Sequence, residues 1–415
     1  MSAPLQSSRP RVVVTGLGMV SAAGTGVEAG WDQLCSGETA LAPIEGFEAA
    51  AYGEPLAGEA RHLPLDPDVD RSFQLLDLAL DEALGDAGWG DAQRGEGTGV
   101  VLGTSQGSIV RAQPIHRGLS RRPLGAPEDE HKRAFANYRP GAGTARVAER
   151  AGADGPCATV GMVCVSSSVA LIQAADLIRR GVCDRVVAGG FEEFSQFVFT
   201  GFYCIGALAS GALRPFDQAR DGTALGEGAV LLTLETLSSA QARGATIYAE
   251  LLGGGHAADA VHMTAPDREG RGLERAIQQA FDESGLGPDG IDYLCAHGTG
   301  TVFNDAMECQ AFARIFGAAR STGRMPPISG LKAVFGHTLG AAGALDAVFS
   351  ILALTRGVFP PTACTESPLE DWDFVTGEGR HSEEPLNVAL STNSAFGGNN
   401  SALIFRRWDG EGAQA

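Results

Sequence analysis

The sequence has little positive charge. Its 31 Lys and Arg residues face 50 Asp and Glu residues, which gives a formal net charge of −19 over 415 residues. Nucleic acids and anionic membranes are bound through basic patches, so this charge argues against both as partners. Only two residues are lysines, against 29 arginines. One of them, Lys332, lies in an apolar, small-residue segment, and we expect its compact ammonium to pair with Asp346 or Glu308.

Paired cysteines and long apolar runs are also lacking. The eight cysteines form no CxxC pair and have no metal-ligand spacing, so we expect no metal site and a reducing, cytoplasmic compartment. No run of about 18 apolar residues and no signal-like start is present, which predicts a soluble protein. With 44% hydrophobic and 20% charged residues, the chain is typical of a globular protein with a sizeable core.

An internal repeat indicates two related halves. The segment ALDEALGDAGWG, from Ala79, resembles AIQQAFDESGLG, from Ala276, at an offset of 197 residues. Two apolar helical segments both end in Arg-Gly-Val, at 180–182 and 356–358, with an offset of 176. The shorter second offset predicts extra residues in the first half.

The repeat sets the predicted domain boundaries. We predict an N-terminal half over residues 10–245 with an inserted cap region at about 110–153, and a C-terminal half over 246–408. Apolar runs such as RVVVTGLG and TGVVLGT show little alternation and are interleaved with helical segments. This pattern predicts an α/β fold with buried sheets covered on both faces.

Four short stretches contain residues that could do chemistry. The cysteine of MVCVSSSVAL, Cys164, is either a small core side chain or a nucleophile at the start of a helix. The others are AHGTGTVFNDAME, LKAVFGHTLGAAGALD and STNSAFGGNNSAL, and their candidate residues are His297, Asp305, Glu308, Lys332, His337, Asp346 and Phe396. Singly, a histidine beside glycines is more often structural than catalytic.

Together and in this order, GMVCVSSSVA, AHGTGTxxxDxxE, KxxxGHTLGAAG and FGGNN resemble the β-ketoacyl-acyl-carrier-protein synthase family, specifically the elongating condensing enzymes with a Cys-His-His triad. The similarity extends from Val12 to Phe405 and includes RPFDQARDGTALGEGA, from Arg214. The resemblance implies the thiolase fold, in which two pseudo-symmetric βαβαβαββ halves form a layered α-β-α-β-α core.

The resemblance also implies an activity. Cys164 would be the nucleophile that holds the acyl chain, with its thiol pKa lowered by the helix N-terminus. His297 and His337 would hydrogen-bond the malonyl thioester carbonyl while CO2 leaves. The product of this decarboxylative Claisen condensation is a 3-oxoacyl-acyl-carrier protein, in fatty-acid or, by preference, type II polyketide or polyene biosynthesis. Neither a metal nor a dissociable cofactor is implied, because phosphopantetheine arrives on the carrier protein.

Supporting roles follow from the same resemblance. Lys332 matches a family lysine whose carboxylate partner stands fourteen positions later, where this chain has Asp346 instead of the commoner glutamate. The backbone N–H groups of Cys164 and Phe396 would form the oxyanion hole, and the Phe396 ring would guard the malonyl side. Asp305 and Glu308 would support the site.

Three positions depart from the family pattern in the acyl pocket. Where relatives have Ser-Phe-Gly-Phe-Gly-Gly, this chain has Asn-Ser-Ala-Phe-Gly-Gly at 393–398, so Ser394 replaces an aromatic residue and Ala395 replaces a glycine. Gln106 stands where an apolar residue often lines the acyl tunnel. A polar tunnel wall favours an unsaturated or polar growing chain.

The implied partners are an acyl carrier protein and a second subunit, in a homodimer or in a heterodimer with a chain-length-factor-like protein. Carrier proteins are acidic, and the segment LPLDPDVDR at 63–71 is acidic too. Docking of the carrier protein is therefore expected at arginines elsewhere in the chain or on the partner subunit. The alternative is that those arginines only lie on the solvated surface of the cap region. The arginine candidates are Arg111, Arg117, Arg121, Arg122 and Arg133.

Two other functions remain open. The chain could be a non-catalytic chain-length-factor-like subunit, although such proteins typically lack the nucleophilic cysteine. More remotely, GTSQG satisfies the GxSxG pattern of an α/β serine hydrolase with Ser105 as nucleophile.

Overall fold

A computed structural model describes residues 9–64, 66, 68–90, 95, 97–113, 115, 129–317, 321 and 325–410, without the side chains of 129–131, 133 and 134. The strands are β1 (Val12–Ser21), β2 (Gly24–Thr25), β3 (Ala42–Pro43), β4 (Leu56–Ala57), β5 (Thr98–Gly103), β6 (Cys157–Val160), β7 (Arg185–Glu192), β8 (Gly228–Thr236), β9 (Ala249–Ala258), β10 (Tyr293–Ala296), β11 (Ile328–Gly330), β12 (Val358–Phe359), β13 (Arg380–His381), β14 (Val388–Ala395) and β15 (Asn399–Arg407).

The helices alternate with these strands. They are α1 (Val27–Ser36), α2 (Arg71–Asp86), α3 (Asp129–Tyr138), α4 (Gly141–Ala151), α5 (Ser166–Arg179), α6 (Gln196–Cys204), α7 (Leu237–Ala242), α8 (Arg271–Ser284), α9 (Val302–Phe312), α10 (Lys332–Phe335) and α11 (Ala342–Arg356). Shorter 3-10 turns cover Ala50–Tyr52, Val163–Val165, Pro288–Gly290 and Leu339–Ala341, and a π-turn covers Ala313–Gly317.

One mixed sheet runs through the molecule, in the order β11-β10-β14-β15-β9-β1-β8-β7-β5-β6. From the outer edge to the centre of the sheet, the order is β6-β5-β7-β8-β1 in the N-terminal half and β11-β10-β14-β15-β9 in the C-terminal half. Strand β5 pairs in parallel with β6 and β7, and β10 pairs in parallel with β11 and β14. The other pairs within each half are antiparallel. The two first strands, β1 and β9, pair with each other through Val13 and Glu250. The halves therefore share one topology, as the sequence repeat predicts.

Alternation along the strands separates an inner from two outer cores. In β10, Tyr293 and Cys295 face the central core, whereas Leu294 and Ala296 face the outer core of the C-terminal half. In β5, Val101 faces the central core, and its neighbours face the outer core of the N-terminal half. Side chains of strands have a period of two, so a strand covered by helices on both faces is apolar throughout.

Helices α5 and α11 form the central layer, where they pack against each other and contribute to the central core. Helices α2 and α4 belong to the outer core of the first half, and α8 and α9 to that of the second. These layers give the predicted α-β-α-β-α arrangement. One helical stretch of the described chain, Leu339–Arg356, is long and apolar enough to cross a membrane, but it is 89% buried inside the protein, as a core helix is.

The repeated helices occupy corresponding places. The segment from Ala79 lies in α2, before β5, and the segment from Ala276 lies in α8, before β10. The predicted cap region at 110–153 contains α3 and α4, and its residues 114 and 116–128 lie outside the described residues. The boundary predicted after residue 245 lies between α7 and β9.

Candidate active site

Cys164 lies in the 3-10 turn that leads into α5 and is 3% exposed. The residue before it, Val163, has a φ of 53°, which is strained for a β-branched side chain. Strained backbone is held in place only where the surroundings over-determine it. The turn therefore fixes the position of the thiol at the start of the helix.

The three serines that follow Cys164 are buried and bind three different parts of the protein. Their hydroxyl oxygens contact the Met162 N–H at 2.9 Å (Ser166), the Ala344 N–H at 2.9 Å (Ser167) and Oδ1 of Asn393 at 3.0 Å (Ser168). The last two partners belong to the C-terminal half. The serines thus connect the cysteine turn to α11 and β14 of the C-terminal half.

The two histidines come from turns of the C-terminal half. His337 follows α10, and its Nε2 lies 3.1 Å from Sγ of Cys164. His297 follows β10, and its ring centroid lies 5.1 Å from that of His337, with the two planes at 84°. Both rings and the thiol line one cavity of about 280 Å³. The fold thereby brings together a nucleophile and two imidazoles from segments that are far apart in the sequence.

Lys332 pairs with Asp346, through a distance of 3.2 Å between Nζ and Oδ2. Both side chains are buried, with 2% and 1% of their surface exposed. Of the two carboxylates considered as partners, Asp346 therefore makes the contact. Burial raises the pKa of Asp346, whereas Lys332 and a hydrogen bond from Asn393 lower it.

Glu308 and Asp305 brace the turn that carries His297. The Glu308 carboxylate accepts the backbone N–H groups of His297 and Gly298, both at 2.8 Å. Asp305 accepts the N–H of Gly300, in the same turn, at 3.1 Å. Burial raises the pKa of Glu308 to about 8. Both carboxylates are one helical turn apart in α9, so this helix positions the histidine turn.

The electrostatics of the thiol differ from the sequence prediction. Burial raises the pKa of Cys164 to about 12, while Lys332 and the backbone N–H groups of Phe396 and Cys164 itself favour the thiolate. The prediction of a lowered thiol pKa is wrong, because the loss of solvation outweighs the helix N-terminus. Burial and Lys332 also lower the pKa values of His297 and His337 well below the usual range. Both imidazoles are therefore neutral before the reaction begins, and His337 is placed to accept the thiol proton.

Phe396 closes one side of the cavity. It lies in the turn between β14 and β15, directed by glycines 397 and 398, whose φ angles are 83° and 73°. Its ring stacks on Phe202, with centroids 5.4 Å apart and planes at 28°. Its backbone N–H favours the Cys164 thiolate, so it is one of two donors available to an oxyanion beside the sulfur.

The three pocket positions that depart from the family pattern lie in different surroundings. Ser394 and Ala395 line the cavity of Cys164. Ser394 Oγ donates to Oδ1 of Asn400 at 2.8 Å. Gln106 is not among the residues that line this cavity, and its Oε1 accepts from the Ser195 hydroxyl at 3.3 Å.

Two residues at the site were not found from the sequence. The buried Glu192 carboxylate accepts the N–H groups of Ser105 at 2.7 Å and Gly340 at 2.9 Å, which joins the two halves beside the cavity. Burial raises the pKa of Glu192 to about 7. A Glu-Glu pair at the end of an apolar strand was the available signal. The other residue is Asn393, which contacts both Asp346 and His297.

Most of the arginines considered for carrier docking lie where the structure gives no side chain. Arg111 is half-buried. Arg117, Arg121 and Arg122 lie outside the described residues, as does the side chain of Arg133. Among the residues that the structure does describe, no group of three or more His, Cys, Asp or Glu side chains could hold a metal ion.

Comparison with known proteins gives consistent matches along the chain. A family model of the beta-ketoacyl synthase N-terminal domain matches residues 9–240, and one of the C-terminal domain matches residues 248–366. The 3-oxoacyl-[acyl-carrier-protein] synthase 2 of Staphylococcus aureus (strain COL) is 33% identical over 97% of this chain and 100% of its own length. A Streptomyces cyaneus protein named "Putative polyketide beta-ketoacyl synthase 1" is 38% identical over 95% of this chain and 97% of its own length.

Solved structures agree with the sequence matches. The ishigamide ketosynthase/chain length factor superposes with a TM-score of 0.88 and 33% identity, over 97% of this chain and 100% of its own. A type II polyketide synthase acyl-carrier protein in complex with its ketosynthase bound to the hexaketide gives a TM-score of 0.87 and 29% identity, over 97% and 100%. These ketosynthases have the thiolase fold, so the predicted fold class is confirmed.

Proposed function

The chain belongs to the beta-ketoacyl synthase family and is a condensing acyltransferase, and we propose that it extends an acyl chain held on Cys164 in type II polyketide or polyene biosynthesis. The observation that carries the proposal is the contact of 3.1 Å between Sγ of Cys164 and Nε2 of His337, with His297 in the same cavity. A core cysteine requires no such partners.

The first step loads the acyl chain. His337 takes the thiol proton on Nε2 as the sulfur of Cys164 attacks the carbonyl carbon of an acyl thioester on the carrier protein. The carbon–sulfur bond to phosphopantetheine breaks, and the departing thiolate takes a proton from water. Negative charge develops on the carbonyl oxygen, where the N–H groups of Cys164 and Phe396 stabilise it. Fixed donors aimed at developing charge usually contribute more to the rate enhancement than any other single effect.

The second step forms the new carbon–carbon bond. CO2 leaves the malonyl thioester, and the bonding electrons move into an enolate whose oxygen is hydrogen-bonded by His297 and His337. The enolate carbon attacks the acyl carbonyl on Cys164, and the cysteine sulfur leaves. His337 donates the Nε2 proton that it took in the first step and returns it to the departing cysteine sulfur, whereas the neutral His297 donates its own N–H. Lys332 with Asp346 fixes the electrostatic potential around both rings.

Several observations support polyketide or polyene chemistry rather than fatty-acid elongation. The superposed structures include an ishigamide ketosynthase/chain length factor and a ketosynthase bound to a hexaketide. In this chain Ser394 places a hydroxyl in the cavity where the family pattern has an aromatic residue. Ser394 and Ala395 shape the acyl pocket in this proposal, and Gln106, which does not line the cavity, acts on it only through its contact with Ser195.

The proposal also covers cofactors and partners. No metal or dissociable cofactor is needed, because phosphopantetheine arrives with the acyl carrier protein. The enzyme works in the cytoplasm as a dimer, either of two copies or with a chain-length-factor-like subunit. All eight cysteines are free, which supports a reducing compartment.

The test is a condensation assay with the purified chain, an acyl-carrier protein and malonyl-carrier protein, with and without a partner subunit, read by mass spectrometry. We expect a covalent acyl adduct at Cys164 and a product lengthened by two carbons. Cys164→Ala abolishes both. Cys183→Ala, which alters another buried cysteine that does not line the cavity, retains them.

The assay also decides between the alternatives. If Cys164→Ala left condensation intact in the complex, the chain would be the non-catalytic subunit. If a fluorophosphonate probe labelled Ser105 and Cys164 stayed unacylated, the hydrolase hypothesis would stand. Within the described chain no histidine hydrogen-bonds the Ser105 hydroxyl, as the nucleophile of a serine hydrolase would require.

A further inference from the structure

Asn393 lies between the buried ion pair and one of the histidines. It belongs to β14 and is 1% exposed. Its Nδ2 lies 2.6 Å from Oδ2 of Asp346 and 3.2 Å from Nδ1 of His297. Its Oδ1 accepts a hydrogen bond from the Ser168 hydroxyl at 3.0 Å. All the polar atoms of this amide therefore have partners, and each partner belongs to a different element.

The orientation of the amide is fixed by the chemistry of its partners. An amide nitrogen carries two hydrogens and cannot accept, whereas the amide oxygen can only accept. Asp346 is an acceptor when ionised, and Lys332 at 3.2 Å stabilises its anion. A reversed amide would place Oδ1 against this carboxylate. The nitrogen of Asn393 thus faces Asp346, and its second hydrogen faces His297.

This orientation sets the tautomer of His297. Because Nδ2 of Asn393 only donates, Nδ1 of His297 must accept. In a neutral imidazole the proton then resides on Nε2. The pKa of His297 is held well below the usual range by burial and by Lys332, so the ring is neutral. The ring lines the cavity of Cys164, where an Nε2–H can donate to a substrate oxygen.

We propose that Asn393 is a positioning residue that holds His297 as the Nε2–H tautomer, under the control of the Lys332–Asp346 pair. The inference rests on the proposed function, in which His297 donates to the enolate oxygen. The lysine acts on His297 through three contacts in series: from ammonium to carboxylate, from carboxylate to amide and from amide to imidazole. Hydrogen-bonding partners behind a functional histidine commonly fix its tautomer in this way.

Two sequence departures meet at this contact. Asp346 is one methylene shorter than the glutamate expected from the family pattern, and Asn393 is longer than the expected serine. In the structure the longer amide reaches the shorter carboxylate at 2.6 Å. The two substitutions therefore form one interaction, and their effects should be coupled in a double-mutant cycle.

The first measurement is the tautomer of His297 in the unliganded protein, read from imidazole ¹⁵N shifts of ¹⁵N-histidine-labelled protein, with His297→Gln to assign the signal. We expect the Nε2–H form. Asn393→Asp is nearly isosteric but accepts where the amide donates, so it should move the proton to Nδ1 or protonate the ring. Asn393→Ser removes the contact to Nδ1 and should give a mixture, and it serves if the aspartate variant does not fold.

The second measurement separates the two half-reactions. We expect Asn393→Asp and Asn393→Ser to slow CO2 release from malonyl-carrier protein by about 10- to 100-fold, the range found when the hydrogen-bond partners behind metal-bound histidines are replaced. Acylation of Cys164 should change less than about threefold, because it uses His337. Asp346→Glu combined with Asn393→Ser should recover more activity than the product of the two single effects.

The control is Ser401→Ala. Ser401 is the β15 partner of Asn393 in the sheet register, is buried, and makes no side-chain hydrogen bond within the described chain. It should retain both half-reactions. The inference is overturned if His297 keeps the Nε2–H form in both Asn393 variants, or if acylation and decarboxylation fall equally. If the unsubstituted protein does not acylate Cys164, the proposed function fails instead, and the tautomer measurement still decides the role of Asn393.

Discussion

Replacement of Lys332 by methionine should destabilise the protein strongly although no surface contact is lost. The Lys332 and Asp346 side chains are 2% and 1% exposed and lie 3.2 Å apart. Removing one partner of such a pair leaves a buried charge without compensation, at a cost of about 3–5 kcal/mol. This cost is a large part of the total stability of about 5–15 kcal/mol that is usual for a folded protein.

The sign of the pH dependence follows from the remaining charge. In Lys332→Met the uncompensated group is the Asp346 carboxylate, whose pKa burial raises. Protonation removes the buried charge, so the difference in unfolding free energy between variant and parent should shrink as the pH falls from about 8 to about 5. Replacing Asp346 by leucine in the same protein should recover part of the loss, because no unpaired charge remains.

The assay is urea unfolding at one fixed protein concentration, because a dimer ties apparent stability to concentration. Lys132→Met is the matched control. Lys132 is the other lysine and is exposed, so its replacement should change the unfolding free energy by no more than about 0.5 kcal/mol. A Lys332→Met protein within about 1 kcal/mol of the parent, or a loss independent of pH, would refute the reasoning.

Two further predictions concern the cysteine turn. Because the pKa of Cys164 is raised to about 12, the rate of its alkylation by iodoacetamide should rise about tenfold per pH unit from about pH 7 to 9.5, as followed by peptide mass spectrometry. A plateau of this rate near the ordinary thiol pKa of about 8.5 would contradict burial as the dominant cause. Gly343→Ala should lower the unfolding free energy by about 1–3 kcal/mol, measured by thermal or urea unfolding, because the new Cβ would overlap the Ser168 hydroxyl. Gly287→Ala is the control: its Cβ would point into open space, so the unfolding free energy should change by no more than about 0.5 kcal/mol. Equal effects of the two substitutions would exclude the packing argument.

Much of the fold could be predicted because its long strands are apolar on both faces. In β1 all ten residues are buried, and the segment RVVVTGLG indicates this strand directly. The edge strands β6 and β11 have four and three residues, too few for any pattern to emerge. Strand β15 begins with Asn399 and Asn400, which favour turns, and only the sheet around it explains why the chain continues as a strand.

The site could be predicted as a set of residues but not as an arrangement. Cys164 and His337 are 173 positions apart, and the repeat places them in different halves without giving the distance between them. The thiol pKa could not be predicted, because a helix N-terminus is visible in a sequence and complete burial is not. The choice of Asp346 over Glu308 as partner of Lys332 likewise depends on which helix lies nearer in space.

Strand β14 indicates why the sequence did not reveal Asn393, a residue that positions a histidine and is not itself a catalytic group. Seven of its eight residues are buried, yet four consecutive ones, Ser391 to Ser394, are polar. An unpartnered polar group in such a place costs about 1–3 kcal/mol, so a run of them persists only where partners or function compensate for it. Asn393 finds three partners because the strand passes between α5, α11 and the His297 turn. A polar run at the carboxyl end of an otherwise apolar strand therefore indicates a site before any motif is recognised, and the geometry decides which of its members acts on the chemistry.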